Sequence, residues 1–415
     1  MNTKQLKAAA LSAVMGVISP LAMMVPATSA DLSWGGIGDG NHVSPFNEDR
    51  SDSVSSSANW MGGATLMDGD NAMFTVDGLV QNINFDAAYS LASIVFEGEN
   101  TSTSSKDYTL SGASGVTLTD SVESKMTGSG GNHALNMDVS LDSDVTFMTD
   151  GASNTLSVGD DETTLDLAGN DLTLDASGGT ITIQGEIDGA GNIAIKKGKV
   201  NFLATAGADY NPTITLEDGE FQTSDNTRGN VVIDGGTLMG TSQFLDDVTL
   251  NSGSIAPGNS PGCLGVNDLT LTGGTYTVEI NGTTVCTEFD STAVVGDIDL
   301  GSATTLDIQR LSSFEPEVDA EFAIITYEED STLTGNFLGL EDGEKVTLGS
   351  YTYEINYAGG EDSNAVTLTV TGTPSAPDTG VGSLISNPIV LMLSAGAVLT
   401  VAVSRRFAEA RAARK

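Results

Sequence analysis

Apolar residues alternate with polar ones over much of the chain, with a period of two. Val116-Thr-Leu-Thr119, Val139-Ser-Leu141, Val145-Thr-Phe147, Leu165-Asp-Leu167, Leu172-Thr-Leu174 and Ile181-Thr-Ile183 show it in the first half. Ile193-Ala-Ile195, Ile214-Thr-Leu216, Val248-Thr-Leu250, Leu269-Thr-Leu271 and Tyr276-Thr-Val278 continue it. Period-2 alternation puts one set of side chains on each face of a strand, so these runs predict short strands with an apolar face and a Thr/Ser/Asp face. Between them stand Ala168-Gly-Asn-Asp171, Ser177-Gly-Gly179, Asp188-Gly-Ala-Gly-Asn192 and Asp234-Gly-Gly236, clusters that suit tight turns. Strands this short do not form stable sheets alone. Stacked at regular intervals they bury one continuous core, which is the logic of a solenoid. The alternative is one or more β-sandwiches. Two features favour the solenoid: the strands recur without a long break from about 105 to 310, and aromatics are scarce, at 6% of the chain. No long amphipathic helix pattern interrupts them.

The two ends break the pattern. Residues 1–30 carry Lys4 and Lys7, then an apolar stretch from Ala8 to about Met24, then Ala27, Thr28, Ser29 and Ala30. This is the order of a secretory signal peptide, cut between Ala30 and Asp31; an uncleaved N-terminal anchor is the alternative. At the other end, no charged residue stands between Thr379 and Ser404. That length of apolar chain predicts one transmembrane helix over 383–404. The tail at 405–415 holds Arg405, Arg406, Arg411, Arg414 and Lys415 against Glu409, which places it in the cytoplasm by the positive-inside rule. A buried soluble helix is the competing reading.

Charge sharpens the picture. The 415 residues include 56 acidic and 16 basic ones, a net charge of −40. Seven of the basic residues lie in the two terminal segments, so residues 31–378 keep nine against 55 acidic ones, a net of −46. A surface this anionic lacks the basic footprint that nucleic-acid binding requires. It resists self-association and collects divalent cations diffusely.

Candidate chemistry is sparse. Cys263 and Cys286 lie 23 positions apart, about one solenoid repeat, and stacked residues about 4.8 Å apart fall within disulfide reach. A disulfide is the expectation for an exported chain, two free thiols the alternative. Lys196, Lys197 and Lys199 cluster, with Arg228 about a repeat later, as a positive spot or as ordinary solvated strand edges. His42 and His133 are isolated and read as surface residues. Trp34 and Trp60 suit either sugar stacking or capping of an open solenoid end. Asp68-Gly-Asp70-Asn71 and Asp160-Asp161-Glu162 could hold Ca²⁺ weakly, though neither matches a known calcium loop, and solvated turns are the simpler reading. Gly36-Ile-Gly38-Asp-Gly40 lacks phosphate-loop spacing. Asn281-Gly-Thr283 fits an N-glycosylation acceptor. No catalytic, cofactor or metal residue is assigned.

Two resemblances add to this. Pro377, Asp378, Thr379 and Gly380, followed by the apolar span and basic tail, resemble the Leu-Pro-x-Thr-Gly sortase signal, with Ala376 in place of the Leu. The resemblance implies cleavage after Thr379 and covalent attachment to a cell wall; a Pro/Gly linker before a permanent helix is the alternative. The second covers about 31–372. Trp34-Gly-Gly, Ser57-Ala-Asn-Trp60, Asp70-Asn-Ala-Met-Phe74 and Tyr89-Ser-Leu-Ala-Ser-Ile-Val-Phe96 resemble the opening repeats of the autotransporter-associated β-strand repeat family. Ile187-Asp-Gly-Ala-Gly-Asn-Ile-Ala-Ile-Lys-Lys-Gly198 and Gly253-Ser-Ile-Ala-Pro-Gly-Asn-Ser-Pro-Gly262 resemble its core, and Tyr351-Thr-Tyr-Glu-Ile-Asn-Tyr357 its end. Asp290 matches the family's Asp-x-Leu, while Thr292 departs from that Leu. The family implies a right-handed parallel β-helix over 31–310 with a C-terminal β module over 311–372. A linker over 373–382 then leads to the membrane span. Autotransporters end in a β-barrel; here an apolar helix is expected instead, so the chain resembles a passenger on a different anchor.

The expected function is therefore an exported, cell-surface-anchored protein with a structural or adhesive, non-enzymatic role. Its expected partners are the membrane, a cell wall joined through sortase, and glycans or neighbouring cell surfaces. The rival is a polysaccharide-active enzyme, a lyase or glycoside hydrolase, which needs a Lys or Arg near paired carboxylates.

Overall fold

The structure, a computed structural model, describes residues 31–34, 52–53, 66–75, 82–100 and 107–372, apart from 152, 224–227, 242–245 and 312–313. Every regular element among them is a β-strand. The chain divides into two compact units, Met1–Pro212 and Thr213–Lys415.

In the first unit the described strands pair in parallel, most of them with strands that are not their immediate neighbours in sequence. Strand Leu172–Ile183 pairs with Ile193–Phe202 on one side and with Val145–Thr149 and Thr155–Val158 on the other. Thr109–Gly128 pairs in the same way with Tyr89–Asn100, Asn132–Leu141 and Val145–Thr149. Register stacks inward-facing residues into columns: Val145, Leu172 and Ile193 form one, Phe147, Leu174 and Ile195 another, and Leu156, Ile181 and Val200 a third. All nine are at most 2% exposed. Each such side chain contributes roughly 1.5–3 kcal/mol by leaving water. The alternation in the sequence is thus the alternation between column and solvent.

Close stacking constrains the corners. At Gly198 the register of the Leu172–Ile183 and Ile193–Phe202 pair shifts, φ is +72°, and an added Cβ would sit 1.6 Å from the Ala176 carbonyl oxygen. Only glycine meets both demands.

The second unit opens with shorter repeats. Thr213–Leu216 pairs with Asn230–Ile233, which pairs with Val248–Leu250; Glu220–Thr223 pairs with Thr237–Gly240, which pairs with Ser254–Pro257. Stacked neighbours here are 17 residues apart, and they reach 35 apart near the end. The column Ile214, Val231, Val248, Leu269, Ile298 runs through five successive strands. A six-stranded sheet closes this unit. It takes Cys263–Val266, Ser291–Val294 and Glu321–Tyr327 in parallel, then Ala365–Gly372, Tyr351–Gly359 and Lys345–Leu348 in turn across antiparallel ladders. Two of its strands therefore precede residue 311, where the C-terminal module was expected to begin.

The chain is all-β over the described residues, with most strands parallel. No helix among these residues is long and apolar enough to cross a membrane. The signal segment up to Ala30, the membrane span expected over 383–404, the 405–415 tail and the Pro377–Gly380 motif lie outside the described residues. Asp31, the expected first mature residue, opens the first strand.

Candidate functional site

The aspartates have a structural task that composition alone did not reveal. A parallel strand entering the stack leaves its first backbone N–H short of a partner, and a carboxylate one repeat earlier accepts it. Asp138 accepts from Thr164 N–H at 2.9 Å, Asp144 from Asp171 N–H at 3.0 Å, and Asp171 from Asn192 N–H at 2.8 Å. In the second unit Asp268 accepts from Asp297 N–H and Asp297 from Thr332 N–H, both at 2.8 Å. The backbone N–H and hydroxyl of Thr332 hold the Asp297 carboxyl below the usual carboxylate range. The two acidic turns raised as weak calcium sites are also engaged. Met67 N–H donates to Asp70 and Ser90 N–H to Asp68. Asp160 accepts from Glu162 N–H and donates its own N–H to Thr163 Oγ1. Among the described residues no group of three or more His, Cys, Asp or Glu could hold a metal.

Asp290 is a deeply buried carboxylate tied to a sequence motif. It is 1% exposed, and it accepts the N–H of Gly262 at 2.7 Å and of Glu279 at 2.8 Å, so it pins the end of the Pro257–Gly262 loop to the neighbouring strand. Burial pushes its carboxyl up to about 7 against the pull of those two N–H groups, with the Glu279 carboxylate adding to the rise. Both oxygens serve the backbone, so Asp290 is a clamp rather than an acid aimed at a substrate. Thr292, where a Leu was expected, is fully buried, with Oγ1 2.7 Å from Tyr276 Oη. Tyr276 Oη donates to the Ile324 carbonyl at 3.0 Å, so Thr292 supplies a partner that Leu would lack.

Cys263 and Cys286 form the expected disulfide, with Cα atoms 4.7 Å apart. Cys286 is not stacked on Cys263 as its spacing predicts: Ser291 takes that position. Cys286 lies instead in the turn after strand Thr275–Ile280, where Glu288 accepts from the N–H groups of Thr283 and Thr284.

His133 is a core residue. It is 2% exposed rather than on the surface, stacked on Phe96 beside Tyr108, and its Nδ1 accepts the Tyr108 N–H at 3.2 Å. Burial lowers its pKa to about 4, with Asp107 opposing weakly. No local pattern signals this, because Phe96 and His133 meet only across the fold. His42 and Trp60 lie outside the described residues. The backbone of Trp34 pairs with Phe74 in the first ladder. Lys196, Lys197 and Lys199 share strand Ile193–Phe202, with Lys197 in register with Asp175; Arg228 is exposed and belongs to the other unit.

A cavity of about 450 Å³ in the second unit opens beside the six-stranded sheet. Tyr327, Leu333 and Tyr357 supply its apolar wall. That wall is fixed from behind. Tyr327 Oη donates to the Tyr357 carbonyl at 3.1 Å, and Tyr357 Oη donates to the Leu340 carbonyl at 2.7 Å while accepting the Phe337 N–H at 2.9 Å. Burial pushes the Tyr357 hydroxyl up to about 12. Asn364 Nδ2 donates to the Tyr327 carbonyl, and Asp342 accepts the Tyr357 N–H. Glu329 and Asp362 stand exposed at the rim with no hydrogen-bond or ion-pair partner among the described residues. No Lys, Arg or His lines the cavity. Sequence reading passed over these residues because 327–333 and 357–364 become neighbours only through the antiparallel sheet.

The chain matches no family model and no curated protein.

Proposed function

We propose that this is an exported, C-terminally anchored surface protein built on right-handed parallel β-helical repeats, with a structural or adhesive, non-enzymatic role. The carrying observation is the use of the aspartates: carboxylates that alternate with buried columns accept from the backbone of the next repeat, as Asp144 and Asp171 illustrate. Such a wall is robust, anionic and repetitive, which suits a surface layer or attachment platform. The terminal segments support export and tethering: the Lys4/Lys7 leader with its Ala30–Asp31 junction, and the Pro377-Asp378-Thr379-Gly380 motif ahead of an apolar span. In this reading the anchor is the membrane helix or, after cleavage behind Thr379, the cell wall.

Two measurements test it. Intact mass of the protein extracted from its cells reports whether the first 30 residues and the tail after Thr379 are gone; retention of the leader in a cytoplasmic fraction sinks the export reading. Binding of purified 31–374 to intact cells, with and without Ca²⁺, separates adhesion, which requires saturable and competable binding, from a coat role.

A further inference from the structure

We propose that the cavity walled by Tyr327 and Tyr357 is a binding site for a non-acidic pyranose unit of a polysaccharide. Three features converge on that chemistry. The first is size: about 450 Å³ is within the range of small-molecule sites and suits one sugar ring with part of a second. The second is the wall. Both tyrosine hydroxyls are committed to backbone groups, so on this wall the phenol bodies and Leu333 offer an apolar surface for the C–H face of a pyranose, beside the polar side chains of Ser331, Ser363 and Asn364. That surface is held by hydrogen bonds before any ligand arrives, which lowers the ordering cost of binding. The third is the rim. Glu329 and Asp362 carry acceptor oxygens that no partner among the described residues uses, and adjacent sugar hydroxyls are donors that pair with carboxylates through charge-assisted hydrogen bonds. With no cationic residue in the lining, a uronic acid or sulfated sugar would meet like charge and no counter-ion. Neutral and amino sugars meet no such barrier.

This rests on the surface reading only for where a polysaccharide would be encountered; the binding chemistry stands on the cavity. The test uses the purified full-length chain and four probes: the methyl glycosides of glucose, N-acetylglucosamine, glucosamine and glucuronic acid. Saturation-transfer NMR and titration calorimetry are expected to show saturable binding of at least one of the first three and none of the glucuronide. A Glu329→Gln/Asp362→Asn variant, whose changes are at exposed positions, is expected to keep its circular dichroism and unfolding midpoint while weakening binding about tenfold or more. A glucuronide bound as well as the others, no binding by any probe, or a smaller loss in the double variant overturns the proposal. Attachment to cells is measured on the same two proteins. Sugar binding without attachment would fail the surface reading and leave the site standing; attachment that is equal in both proteins, without sugar binding, would do the reverse.

Discussion

His133 lies parallel to Phe96, ring centroids 4.2 Å apart and planes within 4°, although 36 residues of chain separate them. The imidazole occupies an aromatic position in a stack that also includes Phe74 and Tyr108. It does so only while neutral. Its Nδ1 accepts a backbone N–H, and an added Cβ at Gly131 would lie 2.5 Å from Nε2, so no side chain fits beside it.

A pH dependence follows with a definite sign. His133 titrates near 6.5 when unfolded and about 4 when folded, so the unfolded chain binds the extra proton first. Its contribution is complete above pH 6.5 and is lost as pH falls towards 4, by up to about 3 kcal/mol. Urea midpoints between pH 4 and 7 are expected to fall with acidification in the wild type, and His133→Phe is expected to flatten that slope.

Asp290 acts in the opposite sense. Its folded pKa of about 7 lies above the unfolded value near 3.8. The stability linked to its proton is therefore present below about pH 4 and lost as pH rises through 7. Asp290→Asn is expected to remove that alkaline loss. Asp290→Ala orphans the N–H groups of Gly262 and Glu279 and is expected to destabilise by about 3 kcal/mol, read as a lower urea midpoint at every pH.

The disulfide closes a 23-residue span. On the loop-entropy model, replacing both Cys263 and Cys286 by Ser costs roughly 3 kcal/mol. The same drop is expected for the wild type with its disulfide reduced, while the double variant is unaffected by reductant. A reductant-sensitive double variant would show that the effect lies elsewhere.

Two glycine substitutions separate backbone strain from collision. Gly169 has φ +90° but open space around an added Cβ, so Gly169→Ala carries only the conformational cost, about 1 kcal/mol. Gly198→Ala carries a similar cost plus a clash with the Ala176 carbonyl. It is expected to lose at least about 2 kcal/mol more, or to fail to fold. Equal effects in thermal unfolding would refute the close approach at that corner.

The sequence by itself determined the strands, their apolar faces and the turns between them, because alternation and Gly/Asn/Asp punctuation are local properties. Leu172, Leu174, Ile181 and Ile183 could be assigned to one face with no knowledge of their neighbours. The Cys263–Cys286 bridge was also legible, though through the wrong geometry, since Cys286 lies in a turn and Ser291 takes the stacked position. Tertiary structure alone decided which residues meet across repeats, because the separation of stacked residues among the described strands runs from 17 (Thr213 to Asn230) to 40 (Asp31 to Asn71) and no local rule sets it. That register turned an apparent excess of aspartates into backbone acceptors and drew His133 into an aromatic stack. It also brought Tyr327 and Tyr357 to one cavity, through antiparallel pairing in which each of their strands is hydrogen-bonded to Ala365–Gly372 between them.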